Sequence, residues 1–291
     1  MTTIITQIGE IIIDLTKVNN ADKEYHSLMI DILVNGKWKE NRTGTQTLSI
    51  FGPQLRFKNI LEHFPLITTK RVHWKSVVGE LLWFLSGSTN KFVLKEKYGV
   101  TIWDEWGDNE TGDLGPVYGF QWRNFDGSGI DQLSNVINDL KKDPDDRRLI
   151  VTAWNPKQIK DMALPPCHWS YQFYSVLNNE GKRELSMIMN IRSWDIFLGG
   201  PFNIAEYALL LQMVAQTVDM IPHELIINAG DAHLYENHIP FVIEQLQRDT
   251  LSDPTVSLNL EQKNIFEFSL SDINLLDYNA HPNWRNVPVA V

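Results

Sequence analysis

The segment ALPPCHWSYQFY, residues 163–174, holds the only cysteine of the chain, Cys167. A thiol becomes a nucleophile when nearby cations lower its pKa. A corner of Pro165 and Pro166, with two fixed φ angles and no backbone donors, would aim it rigidly. The plainer alternative is a small buried hydrophobe, as most lone cysteines are. His168 follows directly, yet successive strand side chains point to opposite faces, so adjacency alone does not bring it to the sulfur.

Cations are available in three places. In ELSMIMNIRS (184–193), Leu185, Met187, Met189 and Ile191 form an apolar strand face, and Arg192 shares the other with Ser186, Ile188 and Asn190. Arg147 and Arg148 open an apolar run after an acidic loop, and Arg42 sits at a Gly-Thr turn in NRTGTQT. With Ser193 these donors suit a phosphate. Taken singly, Arg192 could be a solvated strand end, and Arg147 and Arg148 partners of their own acidic loop.

Glu80, in SVVGELLWFL, has Val77, Trp83 and Phe84 as helical neighbours. A carboxyl beside aromatics has a raised pKa and can move protons near neutrality, although an amphipathic boundary explains the same pattern. In GDAHLYENH (230–238), His233 and Tyr235 share a strand face and could bond a sugar hydroxyl or simply end a polar strand. His233 and His238 are not spaced as a helical zinc pair, and no other His/Asp cluster completes a site, so no metal is expected. Trp103, Trp106 and Trp122, in a loop-rich stretch over 101–125, could wall a flat ligand or anchor an irregular segment in the core.

These residues need a scaffold, and 291 residues are ample for a large core. Apolar spacing predicts helices over 24–34, 73–85, 130–142 and 238–247, and strands over 47–57, 147–155, 224–235 and near TVSLNL. NNEGK (178–182) reads as the turn of a hairpin between HWSYQFYSVL and ELSMIMNIRS. The window 202–219 is apolar nearly all round, which predicts a central buried helix. No linker, repeat or composition shift divides the chain, and strands and helices mix without regular alternation. An α+β single domain follows. The lone cysteine points to a reducing, cytoplasmic setting, and the opening residues, interrupted by Glu10 and Asp14, do not read as a signal peptide. No apolar stretch is long enough for a membrane helix. A net charge of -10 argues against long nucleic acid as a partner while leaving room for a small anion.

RTGTQTLSIFG, FPLITTKRVHWKSVVGELLWFLSGSTN, TIWDEW, GDLGPVYGFQWR, DPDDRRLIVTAWNP, MALPPCH, RSWDIFLGGPFNIAEYALLL, GDAHLYENH and the terminal PVAV follow in order. This series resembles the thymidylate synthase family from about residue 24 to the end. The resemblance implies a mixed β-sheet around the central helix, with residues 1–22 an N-terminal extension of unknown role and 23–291 the catalytic domain. It implies Cys167 as the nucleophile that adds to ring carbon 6 of dUMP, with Glu80, Tyr118, Asp195 and Arg192 as further catalytic residues. Arg42, Arg192 and Ser193 would hold the phosphate, and Arg147 and Arg148 would reach the neighbouring site of a homodimer. Asn203 would pair with the uracil edge, and His233 and Tyr235 with the ribose hydroxyl. His73, Trp103, Asp195, Leu198, Gly199, Phe202 and Ala290 would contact 5,10-methylenetetrahydrofolate, over which the C-terminus closes.

Three positions depart from the family pattern: Ile191 where Gln is common, Trp194 where a small residue is usual, and Ala229 in place of a second glycine. Two alternatives share the fold. A deoxyuridylate hydroxymethylase quenches the exocyclic methylene with water instead of hydride, and a silent relative binds nucleotide without turnover. Asn203 speaks for uracil over cytosine in the synthase and the hydroxymethylase alike, while Trp103 and the intact PVAV terminus favour reduction.

Overall fold

The computed structural model describes residues 2–14 and 18–289 of the chain. A hairpin of β1 (Thr2–Thr6) and β2 (Gly9–Ile13) comes first, and its Ile11 and Ile13 are buried in the main core. Helix α1 (Asn20–Asn35) begins ahead of the span expected from apolar spacing, because the Asn19 side chain accepts from the Asp22 N–H and closes the first turn. Then come β3 (Lys37–Lys39), β4 (Thr47–Phe51) and β5 (Gln54–Lys58). The single strand expected over 47–57 is broken at Gly52, whose φ is 84°, and at Pro53, which has no N–H for the ladder.

Helices α2 (Trp74–Leu85), α3 (Lys91–Tyr98), α4 (Tyr118–Arg123) and α5 (Gln132–Lys142) follow. Helices α3 and α4 are too short to leave a clear helical period in the sequence. Strand β6 (Ile150–Thr152) is shorter than its β-branched run suggests, so Arg147 and Arg148 stay in the preceding loop. The expected hairpin is present as β7 (His168–Leu177) and β8 (Arg183–Asp195). The chain continues through α6 (Gly200–Thr217), β9 (Ile221–Tyr235), α7 (Ile239–Gln247) and a small pair, β10 (Thr255–Leu258) with β11 (Ile273–Leu276).

The main sheet runs β3-β4-β9-β8-β7-β6, with β5 also paired to β9. β8 and β9 are parallel and the other pairs antiparallel, so the sheet is mixed, in the α+β class the sequence implies. A parallel pair needs a crossover, and α6 supplies it. Leu209, Leu210, Leu211, Met213 and Val214 of α6 are wholly buried, so the helix has no solvent stripe. Each such side chain is worth about 1.5–3 kcal/mol of burial. On β8, Leu185, Met187, Met189 and Ile191 are buried as their alternation predicts, which leaves Arg192 on the other face. There β9 passes close behind it: a Cβ on Gly230 would lie 2.7 Å from the Arg192 carbonyl oxygen. Among the described residues no helix is long and apolar enough to cross a membrane.

Candidate active site

Cys167 stands just before β7, and two distant elements fix its backbone. Its N–H donates to the Tyr118 hydroxyl on α4 at 2.8 Å, and its carbonyl accepts from the Arg192 N–H at 2.8 Å. The Arg192 guanidinium turns back over the proline corner, donating through Nε to the Pro166 carbonyl and through Nη2 to that of Pro165, each at 2.9 Å. Prolines lack an N–H but keep their acceptors, and here those acceptors hold an arginine with Nη2 3.9 Å from Sγ. Arg192 is therefore not a solvated strand end.

The thiol lines a cavity of about 500 Å³ together with Arg42, Arg192, Ser193, His233 and Tyr235. Lys39, Trp106 and Asp231 complete much of its wall. Asp231 is occupied: Lys39 pairs with it, and His233 Nδ1 lies 3.0 Å away, which holds its carboxyl below the usual carboxylate range. His233 and Tyr235 pack edge to face with ring centroids 5.3 Å apart. Against a chain of net charge -10, this hollow concentrates cations. A small anion is the ligand it suits.

Over residues 23–291 the chain matches the thymidylate synthase family. The chain belongs to that family. A thymidylate synthase is a methyltransferase, and dUMP and methylenetetrahydrofolate are the family's substrates.

Burial and the arginines act on the sulfur in opposite directions. Burial pushes the Cys167 thiol up from its ordinary value, and the Arg192 and then the Arg42 charges only partly oppose this. The guanidiniums offset desolvation; they do not make a thiolate outright. Because this is the sole cysteine, its alkylation reads its ionisation cleanly. Iodoacetamide should modify Cys167 more slowly at neutral pH than a free thiol, and Arg192→Met should slow it several-fold further. An equal or faster rate in the variant would show that Arg192 does not act on the sulfur.

His168 is also not a partner of the sulfur. Burial pushes it down to about 3, it stacks on Tyr118 with centroids 4.2 Å apart, and its Nδ1 lies 2.8 Å from the Tyr207 hydroxyl. Tyr118 is buried, and burial followed by the Cys167 charge raises its phenol well above the usual value. Glu80 on α2 is raised by burial to about 7, and the Trp103 indole N–H, donating at 2.6 Å to its Oε1, limits the rise. Trp103 thus serves a carboxyl, Trp122 is a core anchor packed against Phe84 and Tyr171, and Trp106 alone of the three lines the cavity.

The remaining family-implied residues are dispersed. Arg148 is exposed and paired with Asp146, and Arg147 lines a separate depression over β7 and β8, so neither reaches its own chain's cavity. Asp195, Leu198, Gly199 and Phe202 gather where β8 meets α6, where Asp195 Oδ1 accepts from the N–H groups of Phe197 and Leu198. Asn203 sits in the first turn of α6 with its Oδ1 bonded to Trp194. His73 is exposed at the start of α2, bonded to Ser76. Ala290 lies outside the described residues. All three departures, Ile191, Trp194 and Ala229, are buried in the core.

Two residues escaped the sequence reading. Lys39 lies three positions before Arg42, so a basic spacing was there to be seen. Glu206 is an acidic residue inside the mostly apolar window of α6. It is 2% exposed, neither carboxyl oxygen has a partner among the described residues, and burial with the nearby Glu80 charge raises it well above 4.5. It therefore keeps its proton in the fold where the unfolded chain has lost it. This disfavours folding increasingly as pH rises above about 4.5. Glu206→Gln should raise Tm by a few degrees near about pH 8 and by less near about pH 4.5, read by thermal melts. An equal shift at both would count against a neutral buried acid.

Proposed function

We propose that this chain is a thymidylate synthase proper, which methylates dUMP reductively to dTMP with 5,10-methylenetetrahydrofolate. The observation that carries the reading is the Cys167 thiol in a cation-lined cavity of about 500 Å³, 3.9 Å from a guanidinium nitrogen. Arg42, Arg192 and Ser193 would take the 5′-phosphate, His233 and Tyr235 the ribose hydroxyl, and Asn203 the uracil edge. Arg147 and Arg148 would complete the phosphate site of a second copy in a homodimer. Their position away from their own cavity supports this. The setting we infer is cytoplasmic.

The Cys167 thiolate adds to carbon 6 of the uracil, forming a carbon–sulfur bond and moving the ring electron pair towards carbon 5 and oxygen 4. Carbon 5 thereby becomes a nucleophile. Glu80, poised at about 7, can give a proton to that oxygen and recover it. Tyr118, held against the Cys167 N–H, would assist loss of the carbon 5 proton.

The folate fits the groups available. Leu198 and Phe202 offer half-buried apolar surface beside the Asp195 carboxylate, and Trp106 stands in the cavity wall, which suits a flat heterocycle with a polar edge. Trp103, His73 and Gly199 would add contacts, and the C-terminus would exclude water. When bound, the folate supplies the one-carbon unit and then a hydride, and the Cys167 sulfur leaves carbon 6 as thiolate when the ring double bond is restored.

Protein given dUMP and methylenetetrahydrofolate should release dTMP and dihydrofolate. Tetrahydrofolate with a hydroxymethylated nucleotide would identify a deoxyuridylate hydroxymethylase instead, and binding without turnover a silent relative. Either result overturns the proposal.

A further inference from the structure

Trp194, at a usually small position, has its indole committed. It is 1% exposed, and its Nε1 lies 3.2 Å from Asn203 Oδ1. An indole nitrogen can only donate, so the amide atom facing it must be the oxygen, with the NH2 turned the other way. The Asn203 backbone is fixed as well, its N–H donating to the Gly199 carbonyl at 3.1 Å. Gly200 lies beside the indole. A Cβ there would lie in ordinary contact, 3.4 Å from the Tyr25 ring and 3.9 Å from Nε1, so the indole packs closely against this turn of the helix.

We propose that Trp194 is a positioning residue that locks Asn203 in the one amide orientation able to read uracil and not cytosine, a role that rests on Asn203 being the ligand of the base edge. Uracil presents an N–H donor at N3 beside the O4 acceptor, and cytosine the reverse, an N3 acceptor beside an amino donor. An unconstrained asparagine could serve either base by turning its amide through half a revolution, since oxygen and NH2 then exchange places. With Trp194 donating to Oδ1, the turned amide would set NH2 against the indole N–H and leave a buried donor unpaired. The locked amide keeps a lone pair on Oδ1 for N3–H and its NH2 for O4. Selectivity is thus set one residue behind the residue that reads the base.

Trp194→Phe tests this, because it keeps most of the ring and removes the N–H. Calorimetric titration with dUMP and dCMP should show wild-type protein preferring dUMP, and the ratio of the two dissociation constants should fall on the order of tenfold in the variant. General damage to the site would weaken both nucleotides and leave the ratio alone. A ratio that survives in the variant overturns the lock. A wild-type protein without preference removes the Asn203 reading and the lock together. Should Trp194→Phe not fold, Asn203→Ala in protein carrying ¹⁵N-labelled tryptophan decides: one buried indole N–H signal must move and lose protection from exchange. No such change overturns the proposal.

Discussion

Cys167→Ser should yield a folded protein that binds dUMP and turns essentially none of it over, a loss in kcat of about 10⁴-fold or more. The substitution changes one atom at the end of a corner held through its backbone. The N–H bond to Tyr118, the carbonyl bond from Arg192 and the Arg192 grip on Pro165 and Pro166 involve no sulfur, so the cavity keeps its shape. A hydroxyl is far weaker as a nucleophile because it stays protonated, and the same burial that raises the thiol would hold the serine neutral too. Covalent capture gives a second readout. Wild-type protein incubated with 5-fluoro-deoxyuridylate and the folate donor should gain the mass of both, and the variant should gain neither. Turnover in the variant, or no shift in the wild type, would remove Cys167 from the role of nucleophile.

What could be read before any fold was known followed period and local stiffness. The alternation on β8 located the buried face and left Arg192 on the opposite one, because a strand repeats every two residues whatever it packs against. The all-round apolar window located α6 for a similar reason: no solvent stripe means no solvent face. The proline corner at Cys167 was legible because proline fixes its own φ. The connections made across the fold were not. That Arg192 would bond the carbonyls of Pro165 and Pro166 depends on β7 and β8 meeting in one register. That Trp103 would serve Glu80 depends on a loop pinned by Lys91, whose buried ammonium is bonded to the Trp106 carbonyl and to Asn109. The thiol's ionisation was not legible, because a sequence shows which cations are available to a sulfur but not the solvent removed from it.

Glu80→Gln should lower kcat/KM by about 10²- to 10⁴-fold and abolish the inflection expected of the wild type near pH 7. Burial raises this carboxyl to about 7, so it is neutral below that pH and charged above it. Thiolate addition needs an acid to meet the charge moving onto the uracil oxygen, and later proton loss needs a base. A group titrating near the working pH serves both steps, whereas an ordinary carboxylate, charged throughout, could serve only as the base. Glutamine keeps the size of the side chain and a hydrogen-bond partner for the Trp103 N–H, so the loss would report the proton rather than the packing. Trp103→Phe separates the two further. Its N–H favours the charged form of Glu80, so removing it should move the inflection to higher pH while leaving a measurable rate. The pH profiles of kcat/KM for wild type and both variants decide the matter. An inflection that stays in Glu80→Gln, or one that moves down in Trp103→Phe, would assign the proton transfer to another group.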